Sequence, residues 1–285
     1  MTSMRVGRIP YINCFPVYGA IDRGIVPLDG TLIDGVPTAL NELMATGLLD
    51  VSVISAIEYA RAPHRYLLLP DIAISCDGPV RSVLLFSRLP AGELGSRQVI
   101  VSTSSMTSVA LLQLLFENVW CCRPEFVPGN AELADVRGAS EREGDARLVI
   151  GDAALHLSQA KGVLPFGDFA PYPYVYDLGA EWKRWTGLPF VFAVWVASRA
   201  VPAANALGVH ASLIASRDWG LQNIKLVAAH ASEVTSFPIH VCEQYLTGLD
   251  YALSYEHLAG LTDFFRRLVG AGRVPNGTLA FLSAA

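Results

Sequence analysis

Charge is scarce in this chain. Only 16% of its 285 residues are Asp, Glu, Lys or Arg, and 21 basic against 26 acidic residues leave a net charge of −5. No run of Lys or Arg interleaves with aromatics, so no nucleic-acid surface is expected. Cysteine is sparse: Cys14, Cys76, Cys121, Cys122 and Cys242, with no Cys-x-x-Cys pair. An odd count without paired spacing argues against a disulfide framework and for a reducing compartment. The adjacent Cys121-Cys122 reads as small apolar filler in a buried segment. Six scattered histidines form neither His-x-x-x-His nor His-Glu-x-x-His, so no metal site is expected from spacing. A Gly-x-Ser-x-Gly elbow is absent, which leaves a nucleophilic hydrolase without support. No apolar run approaches the ~20 residues of a membrane-spanning helix. The opening Met-Thr-Ser-Met-Arg-Val-Gly-Arg has no long apolar segment behind its basic residues. Neither a signal peptide nor a membrane partner is expected, and the cytoplasm is the expected location.

Apolar residues are plentiful, at 52%. That suffices for a sizeable core, and the length for one large domain or two ordinary ones. Short apolar runs alternate with helical patterns through the first third, as in Met4–Ile9, Thr31–Val36 and Val51–Ile54. This predicts βαβ units and a largely parallel sheet. Leu67–Leu69 and Ile72–Ser75 read as two further strands. Ser82–Phe86 and Phe190–Val196 are continuous apolar runs, as strands buried on both faces are. Between them lies a self-contained α/β section, and after them the pattern turns helical. The expected layout is a discontinuous first lobe, 1–88 and 197–285, with a second lobe, 89–196, inserted. Crossover strands near 82–88 and 190–196 would join them at a hinge beside an interlobe cleft, a common setting for a small ligand. Ala131–Asp145 is the expected exposed edge.

The most informative stretch is Gln98–Phe116. An apolar run, Gln98–Val101, precedes six hydroxyls within residues 102–108: Ser102, Thr103, Ser104, Ser105, Thr107 and Ser108. An apolar helical run follows. Strand, hydroxyl-rich turn and helix place side-chain and backbone donors at a helix N-terminus, where the dipole favours an anion. Serine and threonine also cap helices for structural reasons alone. One cap needs one hydroxyl, and this turn offers six.

Several blocks together resemble the menaquinone-biosynthesis chorismate dehydratases of the futalosine route. They are Gly7-Arg-Ile-Pro-Tyr-Ile-Asn13, Gly78-Pro-Val-Arg-Ser-Val-Leu-Leu-Phe86, Ser104–Leu111, Leu148-Val-Ile-Gly-Asp-Ala-Ala-Leu155 and Asp177–Phe190, which runs on into Trp195. The resemblance spans about residues 5–200 and is most specific in the last block. It implies an α/β, two-lobe fold of the type II periplasmic-binding-protein kind. The implied activity is a cofactor-independent hydro-lyase converting chorismate to 3-[(1-carboxyvinyl)oxy]benzoate and water. A sister family of the same route, the 1,4-dihydroxy-6-naphthoate synthases, shares the architecture. A solute-binding or sensor protein of the same fold is the non-enzymatic alternative.

Under that resemblance the hydroxyl turn, Ser104, Ser105, Thr107 and Ser108, becomes a carboxylate cradle. Asn13, in the loop after the first strand, can donate to a substrate oxygen such as the departing hydroxyl; a turn Asn also satisfies its own backbone. Ser55 and Ser82 are candidate ligand donors at strand ends. Gly151-Asp152 follows the strand 148–150, and Asp152 is a base, an orienting group or a helix cap. A substrate carboxylate is the alternative proton acceptor. Arg81 has a guanidinium suited to carboxylates but lies beside an apolar strand, and His156 shares a helix face with Asp152. Tyr11, Tyr172 and Tyr174 can wall the ring, while Trp182, Trp185 and Trp195 are expected to fix packing. The expected partner is the small-molecule substrate, with no cofactor or metal, in a monomer or homodimer.

Overall fold

The computed structural model describes residues 3–129, 144–158 and 172–283. From the N-terminus run β1 (Met4–Arg8), α1 (Phe15–Asp22), β2 (Gly30–Asp34), α2 (Pro37–Ala45), β3 (Val51–Ser55), α3 (Ala56–Arg61) and β4 (Tyr66–Cys76). Next come β5 (Val83–Ser87), β6 (Gln98–Ser102), α4 (Met106–Asn118), β7 (Glu125–Gly129), β8 (Ala146–Ile150), α5 (Gly151–Ser158), β9 (Tyr174–Asp177) and α6 (Leu178–Thr186). The chain ends with β10 (Phe190–Ser198), α7 (Ala203–Gln222), α8 (Ile224–Thr235), α9 (Ile239–Thr247) and α10 (Tyr255–Gly270). No helix among the described residues is long and apolar enough to cross a membrane.

The chain divides into two compact units, 1–75 with 191–285 and 76–190. The boundaries therefore fall at 75/76 and 190/191, not at 88/89 and 196/197. Hydrogen bonding explains the shift. The run 83–87 is bonded antiparallel to both β8 and β9, which makes it an internal strand of the second unit. Residues 193–197 of β10 pair with β3, which makes that run an internal strand of the first.

Each unit holds a five-stranded sheet, ordered β2-β1-β3-β10-β4 in the first and β7-β6-β8-β5-β9 in the second. Both are mixed rather than largely parallel. Strand β1 runs parallel to β2 and β3, while β10 is antiparallel to β3. In the second unit β6 is parallel to β7 and β8, and β5 opposes β8 and β9.

In the first unit every residue of β3, Val51-Ser-Val-Ile-Ser55, is buried, as a central strand covered on both faces requires. Burying each such Val or Ile contributes about 1.5–3 kcal/mol. Beside it the Trp195 indole donates to the Tyr18 hydroxyl at 3.0 Å, and Tyr18 donates to the Gly7 carbonyl at 3.1 Å. These bonds tie β10, α1 and β1 together. Burial of Tyr18 raises its phenol far above the ordinary value. The two strands read at 67–69 and 72–75 are one strand, β4, kinked at Asp71, whose φ is 53°. Helix α7 stabilises the kink: His210 bonds the Pro70 carbonyl at 2.9 Å, and Arg217 donates to the Asp71 carbonyl.

The second unit packs Leu84, Phe86, Val149, Ala154, Leu157 and Tyr172 into one cluster. Trp182 is buried against Trp185 and Phe190 and donates to the Pro189 carbonyl at 3.2 Å. Trp182, Trp185 and Trp195 thus have the packing roles expected of them. Cys121 corrects its expectation, because it is exposed and Cys122 half-buried. The chain turns there with φ 52° at Cys121, after α4 has ended. Of the expected exposed edge, residues 131–143 lie outside the described residues.

Candidate functional site

In the second unit, strand direction gathers three helix starts on one sheet edge. Strands β6, β8 and β9 run the same way, and each is followed at its carboxyl end by a helix: α4, α5 and α6. Strand β5 runs oppositely, so its amino end, at Ser82 and Val83, reaches the same edge. Val83 pairs with Ile150, and the Gly151 N–H donates to the Ser82 carbonyl at 2.8 Å. The hydroxyl turn, Gly151, Asp152 and Ser82 therefore share one edge.

The three helix starts differ in charge. Helix α6 is capped by Asp177, whose carboxylate accepts from Gly179 and Ala180. Helix α5 carries Asp152 in its first turn, so this aspartate lies within the helix. The first turn of α4 holds no acidic residue. No acidic side chain offsets its partial positive charge, so of the three starts it is the one whose field most favours an anion.

The hydroxyls divide the work. Ser105 is the N-cap of α4, accepting from the Ser108 N–H at 3.4 Å, and its Oγ lies 2.8 Å from Ser108 Oγ. Thr107 and Ser108 are buried at 1% exposure. The Ser104 N–H donates to the buried Ser102 Oγ at 3.0 Å. Thr103 is exposed and Ser104 half-buried, and neither hydroxyl makes a hydrogen bond among the described residues, so these two are the most open to a ligand.

In the sequence Asp177 stands out only as the first residue of the block 177–190, and the structure gives it a second duty. Its carboxylate also accepts from Val80 at 3.0 Å and Arg81 at 2.6 Å. Four backbone donors thus converge on one side chain and shape the turn before Ser82. Burial nevertheless raises the Asp177 carboxyl above its ordinary value, against the pull of those donors. Arg81 adopts φ 63°, in the left-handed region, to make this turn. Ser82 is 3% exposed, and His156 lies in the last turn of α5. Tyr172 is buried in the core against Phe86 and beneath Arg88, so it walls no site; Tyr174 is exposed on β9.

In the first unit the parallel pair β1 and β3 ends side by side, which puts the Asn13 loop and Ser55 at neighbouring strand ends. Asn13 lies in a short 3-10 turn, residues 12–14. Its Oδ1 is buried with no hydrogen-bond partner among the described residues. A buried amide oxygen left so is costly unless a ligand donor reaches it. Ser55 is bonded to Asn41 on α2, a residue that sequence reasoning missed. A cavity of about 220 Å³ lies nearby, lined by Arg8, Cys14, Phe15, Tyr18 and His230 among others. Arg8 is no carboxylate receptor there, because Asp34 and Asp22 already hold it at 2.6 and 2.5 Å. The Arg8 guanidinium in turn keeps the Asp34 carboxyl below its ordinary value.

A family model described as menaquinone biosynthesis matches residues 4–269. The chain belongs to the menaquinone-biosynthesis family. Among relatives of that family, a protein of Thermus thermophilus named chorismate dehydratase is 32% identical over 272 residues, covering 91% of this chain and 95% of its own. A chorismate dehydratase of Campylobacter jejuni is 28% identical over 194 residues, covering 67% and 66%. A crystal structure of a protein from Archaeoglobus fulgidus superposes with a TM-score of 0.77 at 18% identity, covering 95% of this chain and 98% of that one. The periplasmic aliphatic sulphonate binding protein SsuA of Escherichia coli gives 0.63 at 14%, covering 100% and 95%. This member of the menaquinone-biosynthesis family thus has the periplasmic-binding-protein fold.

Proposed function

We propose that the chain is a chorismate dehydratase, a hydro-lyase that releases 3-[(1-carboxyvinyl)oxy]benzoate and water. The observation that carries this reading is the Thermus relative of that name, aligned along 91% of the chain. The site chemistry supports it. Chorismate is a dianion, and the α4 start offers donors with no acid in its first turn.

The ring carbon bearing the enolpyruvyl ether loses its proton. That C–H electron pair becomes a ring double bond, and the neighbouring C–O bond breaks to expel hydroxide, which leaves as water. The product ring is aromatic, so the chemistry asks for orientation and a base rather than for an electron sink. We assign one substrate carboxylate to Ser104 and the α4 N-terminus, with Ser105, Thr107 and Ser108 shaping that turn. Ser82, Gly151 and Ser55 hold further substrate oxygens, and Asn13 contacts the departing hydroxyl. The proton goes to Asp152 or to the substrate's own carboxylate and from there to the departing hydroxyl, so that water leaves and the base is restored. No cofactor enters these steps.

The test is incubation of purified protein with chorismate in metal-free buffer, followed by absorbance and mass. Loss of one water with an aromatic spectrum is the expected result. Chorismate recovered unchanged from folded protein sinks the reading.

A further inference from the structure

We propose that Asn41 is a positioning residue that sets the Ser55 hydroxyl as a hydrogen-bond donor toward bound substrate. The inference rests on the reading of Ser55 as substrate-binding. Asn41 and Ser55 are both buried, at 3% and 4% exposure, and they meet twice. The Ser55 backbone N–H donates to Asn41 Oδ1 at 3.1 Å, and Asn41 Nδ2 donates to Ser55 Oγ at 3.1 Å. A backbone N–H has no choice of role, so it fixes the amide with its oxygen toward the N–H and its nitrogen toward the hydroxyl. An Nδ2–H aimed at Oγ occupies a lone pair and turns the hydroxyl proton away from Asn41.

A second observation agrees. Ser55 is the N-cap residue of α3, yet its side chain makes no cap bond. Serine in that position commonly gives its oxygen to the helix. Here the oxygen accepts from Asn41 instead, and one O–H remains to donate at the carboxyl end of β3. The acceptor this suits is an oxygen of an acidic substrate. The rival explanation is a buried polar pair that merely holds α2 on β3. Such a pair would act on stability with or without the Ser55 hydroxyl.

The test is a double-mutant cycle: Asn41→Asp and Asn41→Leu, each with and without Ser55→Ala, read by KM, kcat and melting temperature. In Asn41→Asp the carboxylate still accepts from the Ser55 N–H, but it now draws the hydroxyl proton to itself. Asn41→Asp is expected to raise KM about 10- to 100-fold where Ser55 is present, the worth of one bond to a charged acceptor. In the Ser55→Ala background the rise should be about tenfold smaller, and the remainder reads the added charge. Equal losses in both backgrounds, or an unchanged KM in Asn41→Asp, overturn the inference. Should Asn41→Leu fail to fold, the Asn41→Asp arm decides alone. The wild type in the same assay separates the two ideas. If it binds chorismate by calorimetry without turnover, the activity fails and the cycle is read in Kd. If it neither binds nor turns over, both fail.

Discussion

The Arg81 N–H donates to the Asp177 carboxylate at 2.6 Å, which joins two sequence blocks almost a hundred residues apart. Beside this bond Gly179 passes so close to Gly78 that a Cβ on it would lie 2.5 Å from the Gly78 carbonyl oxygen. An Asn at 177 retains one acceptor oxygen and points an NH2 at backbone donors. Asp177→Asn should therefore cost about 2 kcal/mol by chemical denaturation. Its pH signature distinguishes it from other losses. Between the ordinary value of 3.8 and the raised folded value, the folded protein binds a proton that the unfolded chain has released. This group's contribution to stability therefore falls as pH rises through that window and is constant above it. Asp177→Asn should flatten that part of the profile. An unchanged slope would mean that the carboxyl is not raised.

The blocks 78–86 and 177–190 were legible as motifs, but their mutual contact was not. Local pattern reports which residues are apolar, not which distant strand they pair with. That is also why the sequence pattern suggests crossovers at β5 and β10 and largely parallel sheets. The helix start at Ser105 was legible, because a hydroxyl cluster before an apolar run has a local cause. Asn41 carried no such signal: it lies mid-helix in α2, and its partner Ser55 is 14 residues away.

Ser104 and Ser105 are adjacent but should separate experimentally. Ser105 caps α4, so Ser105→Ala should lower stability by about 1 kcal/mol. Ser104 has a half-buried hydroxyl with no bond among the described residues, so Ser104→Ala should leave the melting temperature unchanged and raise KM for chorismate about tenfold. Thermal melts paired with steady-state kinetics read both. The reverse pattern would exchange the two roles.

Gly151 has φ 62° and donates to the Ser82 carbonyl, so the backbone between β8 and Asp152 is left-handed at this point. A side chain there costs about 1–2 kcal/mol. Gly151→Ala should lose that much stability and also lower kcat, because relief of the strain shifts the start of α5. A variant with wild-type kcat and reduced stability alone would detach Gly151 from the chemistry.

Substitution of Asp152 tests where the proton goes. It lies in the first turn of α5, and its Oδ1 is buried. Two opposing fields act on it: the helix start favours its charge, and a dianionic substrate disfavours it. If Asp152 is the base, Asp152→Asn removes the proton acceptor while preserving shape, and kcat should fall by more than about 10³ with KM little changed. If the substrate carboxylate takes the proton, the same change removes a negative charge near a dianion. KM should then fall or hold, and kcat should stay within about tenfold. The pH profile supplies an independent reading. An acidic limb in kcat that disappears in Asp152→Asn belongs to Asp152, whereas one that survives belongs to the substrate. Retention of both rate and limb would remove Asp152 from the list of catalytic residues and leave it as a charge at the start of α5.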